Sequence, residues 1–328
     1  MARKAKKKKS GIRIFAIFLL TVIIAALFYI ALGNHQILEK ENDVTPDSSD
    51  DRTAPVSSLK IELDPSVAVS SDQLNSTNAI LIRLKDRTIL MQKNSEEKIY
   101  PASLTKMMTA IVAIENLPDL EKEITLTNST FQGLYEADAS MAGFQPGEQV
   151  RAIDLLYGVM LRSGAECCIA LADQIAGSEQ NFVKIMNQRA AGLDMDDTHF
   201  ENSTGLHSEN HYTTVKDLAV LLCYALQNDI FREVFTSSHH FTRPTNVHPD
   251  GITFYSTMFE DLNNQNITGG EILGGKTGYT NEAGLCLASL AKVGKQEYIL
   301  ISAGAKGDHY TEQYNITDAL AVYNSIGK

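Results

Sequence analysis

The chain has 328 residues, 44% of them hydrophobic and 21% charged, with a net charge of −11. An acid excess of that size repels nucleic-acid phosphates and argues against a polynucleotide partner. The charge is unevenly spread: residues 1–13 hold seven Lys or Arg and no acid, and those seven positives set against the overall −11 leave −18 on residues 14–328.

Ile14 to Leu32 is a run of 19 apolar or small residues broken only by Thr21. At about 1.5 Å per helical residue it spans roughly 28 Å, close to a bilayer core. The basic cluster ahead of it should stay in the cytoplasm, so the rest of the chain would face outside. Residues 1–13 are therefore read as a basic cytoplasmic tail and 14–32 as a transmembrane signal-anchor of a single-pass membrane protein. The alternative is a secreted protein cleaved near Ala31-Leu32-Gly33, although the apolar run exceeds the usual signal-peptide core. Residues 33–72 are polar, acidic and rich in Ser and Asp, which predicts a flexible extracellular linker. Residues 73–328 remain as one folded domain, long enough for a sizeable core.

Within that domain, Ala79–Leu84 and Thr88–Met91 flank Lys85-Asp86-Arg87 and predict a hairpin. A helix begins near Ser103. Helical periods follow at Ile153–Met160, Ile169–Ile175, Asn181–Ala191 and Val215–Leu226. Ile272–Tyr279, Leu285–Lys292 and Glu297–Ala303 predict successive antiparallel strands, with a turn at Val293-Gly294-Lys295, before a closing helix over Thr311–Ile326. Strands at both ends with helices between them predict a mixed α/β fold, an antiparallel sheet flanked by helices plus a mostly helical lobe.

The chemistry is concentrated in Tyr100-Pro-Ala-Ser-Leu-Thr-Lys-Met-Met-Thr109. Ser103 and Lys106, three apart on a helix, share a face with Cβ atoms roughly 5–6 Å apart. Serine is a weak nucleophile until a base takes its proton. A neutral lysine is such a base, but at pH 7 only about 1 in 2,500 free lysines is neutral. Lowering the pKa to about 7 requires roughly 4–5 kcal/mol of differential destabilisation of the ammonium. Burial and a second cation are the physical routes. The apolar run Met107–Ile114 after Lys106 predicts a buried helix.

Two downstream segments complete a pattern: Leu161-Arg-Ser163-Gly-Ala-Glu-Cys-Cys168 and Leu273-Gly-Gly-Lys276-Thr277-Gly278-Tyr279-Thr280. Ser-x-x-Lys, a Ser-bearing turn and Lys-Thr-Gly, in this order, resemble the motifs of penicillin-binding proteins and related β-lactamases. Ala139–Glu148, Asn202-Ser-Thr-Gly-Leu-His207 with Asn210-His-Tyr212, and Gly275–Thr280 with Ala283-Gly284 narrow the resemblance to the serine D-alanyl-D-alanine carboxypeptidase family, over roughly residues 75–328.

That resemblance implies a β-lactamase/D,D-peptidase-like fold with its site where the sheet meets the helical region. It implies a substrate, the peptidoglycan pentapeptide, and inhibitors, the acylating β-lactam antibiotics. It assigns Ser103 as nucleophile, Lys106 as base and Ser163 as proton relay to the leaving D-alanine. The backbone N–H groups of Ser103 and Tyr279 would form an oxyanion hole. Lys276 would be the second cation, Thr277 would bind the terminal carboxylate, and Gly278 would let the strand approach the substrate closely. No metal and no cofactor is required. The pattern is broken at Ala165, where the family carries Asn in Ser-x-Asn. Glu166 reads as a cap or surface charge. A β-lactamase and a catalytically idle wall-binding protein are the competing functions.

Cys167, Cys168, Cys223 and Cys286 lie in apolar runs and read as buried thiols rather than disulfides. His239, His240 and His248 are close in sequence, but their spacing matches no metal site.

Overall fold

The structure, a computed structural model, describes residues 60–61, 70–262 and 264–326. The chain divides into two units, Met1–Ala54 and Pro55–Lys328, and every described residue belongs to the second. The expected cytoplasmic tail and membrane span, residues 1–32, and most of the expected linker lie outside the described residues.

A seven-stranded sheet forms the centre, in the order β1-β3-β2-β11-β10-β9-β8. Its strands are β1 (Lys60–Ile61), β2 (Asn78–Arg83), β3 (Thr88–Lys93), β8 (Asn266–Ile267), β9 (Gly270–Thr280), β10 (Gly284–Val293) and β11 (Gln296–Ala305). All neighbours are antiparallel except β1, which pairs parallel with β3. The segment expected to be a flexible linker, 33–72, therefore holds strand β1, and Ser71–Gln73 adds a 3-10 turn. Lys60 pairs with Thr88 and Ile61 with Ile89 on the outer edge of β3.

Strands β2, β10 and β11 are mostly apolar because both faces of the sheet are covered. Alternation still sorts them. Ile80, Ile82, Ala288, Leu290, Ile299 and Ile301 enter one core with the helical lobe. Ala79, Leu81, Leu287, Ala291 and Leu300 enter the other, beneath Ile316, Ala319, Val322 and Tyr323 of the last helix. Gly294, with φ +60, makes the tight turn from β10 to β11 where the sequence places one.

The helices are α1 (Lys106–Asn116), α2 (Ala152–Leu161), α3 (Ala165–Ala176), α4 (Glu179–Gly192), α5 (Val215–Ala225), α6 (Asp229–Thr236), α7 (Thr257–Asp261) and α8 (Tyr314–Ser325). α1 is buried from Lys106 to Ile114 and packs against α2, α3, α4, α5 and α6, so it is the axis of the helical lobe. Two small hairpins complete the lobe: β4 (Glu123–Thr125) with β5 (Gln149–Arg151), and β6 (His239–Phe241) with β7 (Thr253–Tyr255).

All four cysteines are free and buried. His240 and His248 each meet a buried carboxylate distant in sequence, Asp154 at 2.7 Å and Glu148 at 2.8 Å. Among the described residues, no grouping of three or more His, Cys, Asp or Glu is placed to hold a metal ion.

Candidate active site

Ser103 does not sit in α1 itself but in the 3-10 turn Ala102–Thr105 that leads into it. Ala102 takes φ +47, a left-handed conformation that costs roughly 1–2 kcal/mol in a residue with a Cβ. Gly205, at φ +80, lies so close that an added Cβ would collide with the Ala102 carbonyl. The turn also lies against β9. A Cβ on Gly278 would stand 3.1 Å from the Ser103 nitrogen and 3.3 Å from the Leu104 nitrogen. The bare Cα of Gly278 thus lets the strand approach the Ser103 turn closely.

Three of the expected residues converge by hydrogen bonding. Lys106 Nζ donates to Ser103 Oγ at 3.2 Å, and Ser163 Oγ donates to the same oxygen at 2.8 Å. Lys106 Nζ also donates to the Thr204 carbonyl. Ser163 is buried and held at φ +59 at the end of the turn from α2 into α3. A strained serine aimed at a second serine is the kind of outlier that marks a working site.

Lys106 and Lys276 are both almost fully buried, at 2% and 1% exposure. Burial pushes the Lys106 amine below the ordinary lysine range; Cys168, Glu166, Cys167 and Glu179 act in the opposite sense. Burial, and then the Lys106 charge, push Lys276 well below that range. Among the described residues neither lysine enters an ion pair. Lys276 Nζ donates to the Thr277 carbonyl at 2.7 Å, and Thr277 Oγ1 meets Thr257 Oγ1 at 2.7 Å. Tyr279 turns its hydroxyl to Asn281 at 2.8 Å and packs its ring edge-on to His309.

Ser103, Lys106 and Tyr279 line a cleft of about 480 Å³ together with Ala165, Thr204 and His207, among others, whereas Ser163, Lys276 and Thr277 lie behind its lining. Beyond Glu271, the outer edge of β9 has no strand partner among the described residues.

The structure adds residues to which the sequence analysis gives no role. Asn202 Oδ1 accepts from the Thr204 and Gly205 backbone N–H groups at 3.2 and 2.7 Å, folding the loop that delivers the Thr204 carbonyl to Lys106. Glu179 Oε1 accepts from the Ser203 backbone N–H at 2.9 Å and from Ser203 Oγ at 2.7 Å. His211 accepts at Nδ1 from the Glu201 N–H, so Nε2 carries the proton and donates to Thr105 Oγ1 at 2.8 Å. Burial, helped by the charges of His199, Lys106 and His207, brings its pKa down to about 4. Asn202-Ser-Thr-Gly-Leu-His207 and Asn210-His-Tyr212 stand out in the sequence as flanks of the motif set, without roles; Glu179 carries no signal there.

Glu166 departs from expectation. It is fully buried rather than on the surface, and Oε1 accepts from the backbone N–H groups of Ala142 and Gly143 at 2.7 and 2.9 Å. Helical rotation does carry it away from the cleft face of Ala165, but a loop and not solvent covers that side.

A family model described as D-alanyl-D-alanine carboxypeptidase matches residues 65–307. The chain belongs to that family. D-alanyl-D-alanine carboxypeptidase DacF of Bacillus subtilis is 30% identical over 228 residues, covering 70% of this chain and 57% of that protein. DacC of Escherichia coli K12, also a D-alanyl-D-alanine carboxypeptidase, is 31% identical over 254 residues, covering 73% and 59%. The chain thus spans less than two thirds of these curated relatives. The DD-transpeptidase of Streptomyces K15 superposes with a TM-score of 0.70 at 25% identity, covering 78% of this chain and 98% of that one. The mixed α/β arrangement, an antiparallel sheet beside a helical lobe, is the fold of these D,D-peptidase structures.

Proposed function

We propose that the protein is a serine-type D,D-carboxypeptidase that removes the terminal D-alanine from peptidoglycan stem peptides and is acylated by β-lactams. The observation that carries this reading is the desolvated Lys106 amine 3.2 Å from Ser103 Oγ, with a second buried lysine beside it. In its neutral form the amine accepts the Ser103 proton as Oγ attacks the peptide carbonyl. The N–H groups of Ser103 and Tyr279 stabilise the oxyanion from facing sides of the strand–turn contact. Ser163 Oγ, 2.8 Å from Ser103 Oγ, passes the proton to the departing D-alanine amine. Thr277 and Lys276 receive the substrate carboxylate, and Gly278 keeps β9 against the nucleophile turn. Water then hydrolyses the ester with Lys106 again acting as base.

Ser103→Ala should abolish release of D-alanine from a pentapeptide and acylation by penicillin. Retention of either in that variant would refute the assignment. A penicilloyl adduct lasting minutes fits a carboxypeptidase, whereas turnover in milliseconds would favour the β-lactamase alternative. Wild-type protein that binds penicillin without releasing D-alanine would be the idle wall-binding protein.

The same reading places the catalytic domain outside the cell, tethered by residues 14–32 with residues 1–13 in the cytoplasm. Among the described residues no helix is long and apolar enough to cross a membrane, and the span in question lies outside them. Intact mass and membrane fractionation of the expressed protein test the tether: loss of the first 33 residues would make the protein secreted instead.

A further inference from the structure

The wall of the cleft opposite β9 is a loop, residues 137–144, of which Ala137, Asp138, Ala139 and Ser140 line the cavity. The loop is fastened at three points to the start of α3, directly after Ser163. The Ala165 N–H donates to the Ser140 carbonyl at 2.8 Å, and the Ala142 and Gly143 N–H groups converge on Glu166 Oε1. The joint has no slack. An added Cβ on Gly164 would stand 2.8 Å from the Ala142 Cβ and 3.0 Å from Glu166 Oε2. That second oxygen is buried and accepts no hydrogen bond. A neutral, apolar side chain would fill this space more cheaply than a carboxylate with one oxygen unpartnered.

We propose that Glu166 is a positioning residue: its carboxylate fastens the 137–144 wall to the Ser163 turn, and its negative charge acts on the Lys106 amine. The inference rests on the acylating function proposed for Ser103. The groups facing that amine are few. Ser103 and the Thr204 carbonyl touch it. Cys168, Glu166 and Cys167 act on it from α3, Glu179 from α4, Lys276 from β9, and His211 lies within its field. Of these, only Glu166 and Glu179 carry carboxylates, and Glu179 is bound by Ser203. Burial lowers the pKa of the amine, and the Glu166 charge offsets part of that effect. Burial also raises the pKa of Glu166 itself, against the backbone N–H groups of Gly143, Glu166, Ala142 and Phe144, which favour its charged form.

Two variants separate reach from charge. Glu166→Gln keeps the length and removes the charge. Its acid limb of penicillin acylation should move to lower pH, so that at a fixed pH on that limb the rate, as a fraction of its plateau, rises roughly threefold. Glu166→Asp keeps the charge and shortens the reach to Ala142 and Gly143. Its limb should stay in place while acylation efficiency falls roughly tenfold, mainly through weaker binding. An unmoved limb in Glu166→Gln, or wild-type efficiency in Glu166→Asp, overturns the proposal. If Glu166→Gln fails to fold, Glu166→Asp alone decides it. If the wild type is not acylated at all, the acylation reading has failed instead; the Lys106 titration, followed by NMR of ε-13C-lysine in wild type and Glu166→Gln, still decides whether this charge acts on that amine.

Discussion

The two faces of the central sheet spend their buried polar groups differently. On the α8 face the one buried carboxylate among the described residues, Asp318, is fully used: Oδ1 accepts from the Asn75 backbone and side-chain amides, and Oδ2 from the Ser76 backbone and hydroxyl, all at 2.7–2.9 Å. Tyr323 in the same core is likewise paired with Ser289. At the seam with the helical lobe, two lysines are buried without an ion pair among the described residues, and Ala102 and Ser163 hold left-handed backbone. The α8 face pairs the carboxylate and the phenol it buries, and its one unpaired buried side-chain atom among the described residues is the neutral Ser302 hydroxyl. The other keeps charge and strain that stability alone would remove, and it is the face with the nucleophile. The contrast locates the site independently of the motifs.

Substitutions can break the contrast. Lys106→Met should lower acylation by about 10³-fold, the scale of a lost general base, while leaving Tm unchanged or higher because a buried polar amine is replaced by an apolar side chain. A rate within tenfold of wild type would remove Lys106 from the mechanism. Asp318→Ala should do the reverse. It orphans four donors and should cost about 3 kcal/mol in denaturant unfolding, with the acylation rate of the folded protein retained. If it abolished acylation instead, the two faces would not be separable.

His211 sharpens the comparison through pH. Its folded-state pKa of about 4 lies below the ordinary histidine value near 6.5, so the unfolded chain binds the extra proton between those values. Stability from this group is therefore whole above about pH 6.5 and is lost as pH falls toward 4, on the order of 3 kcal/mol in all. Unfolding midpoints of wild type and His211→Gln across that window should diverge; parallel curves would contradict the buried neutral imidazole. The smallest effect expected is at Ala165. It is buried at the cleft where the family carries Asn, and Ala165→Asn should raise acylation by about threefold through one added hydrogen bond near Lys106. No change would mean that the position is not limiting.

Much of this was legible in the chain. The hairpin 79–91, the three long strands and the buried helix after Lys106 follow from strong local periodicity, and the order of the three motifs locates the nucleophile turn. The parts that were not legible depend on contacts distant in sequence. Glu166 reads as a surface charge because nothing in α3 reveals that the Ala142–Gly143 backbone will cover it. Glu179 and His211 reach the site only after α4 and the 199–213 segment fold against α1. Strand β1 is two residues long, too short to stand out in the sequence, and is defined by its pairing with β3. Gly278 announces a close approach, but only the fold tells that the neighbour is the Ser103 turn.

The central claim is that a neutral Lys106 activates Ser103. Its most direct test is the pH dependence of penicillin acylation, with the adduct located by peptide mapping. The account predicts an adduct on Ser103 and an acid limb well below the free-lysine range, lost in Lys106→Met. A limb near pH 10, or an adduct on another residue, would contradict it.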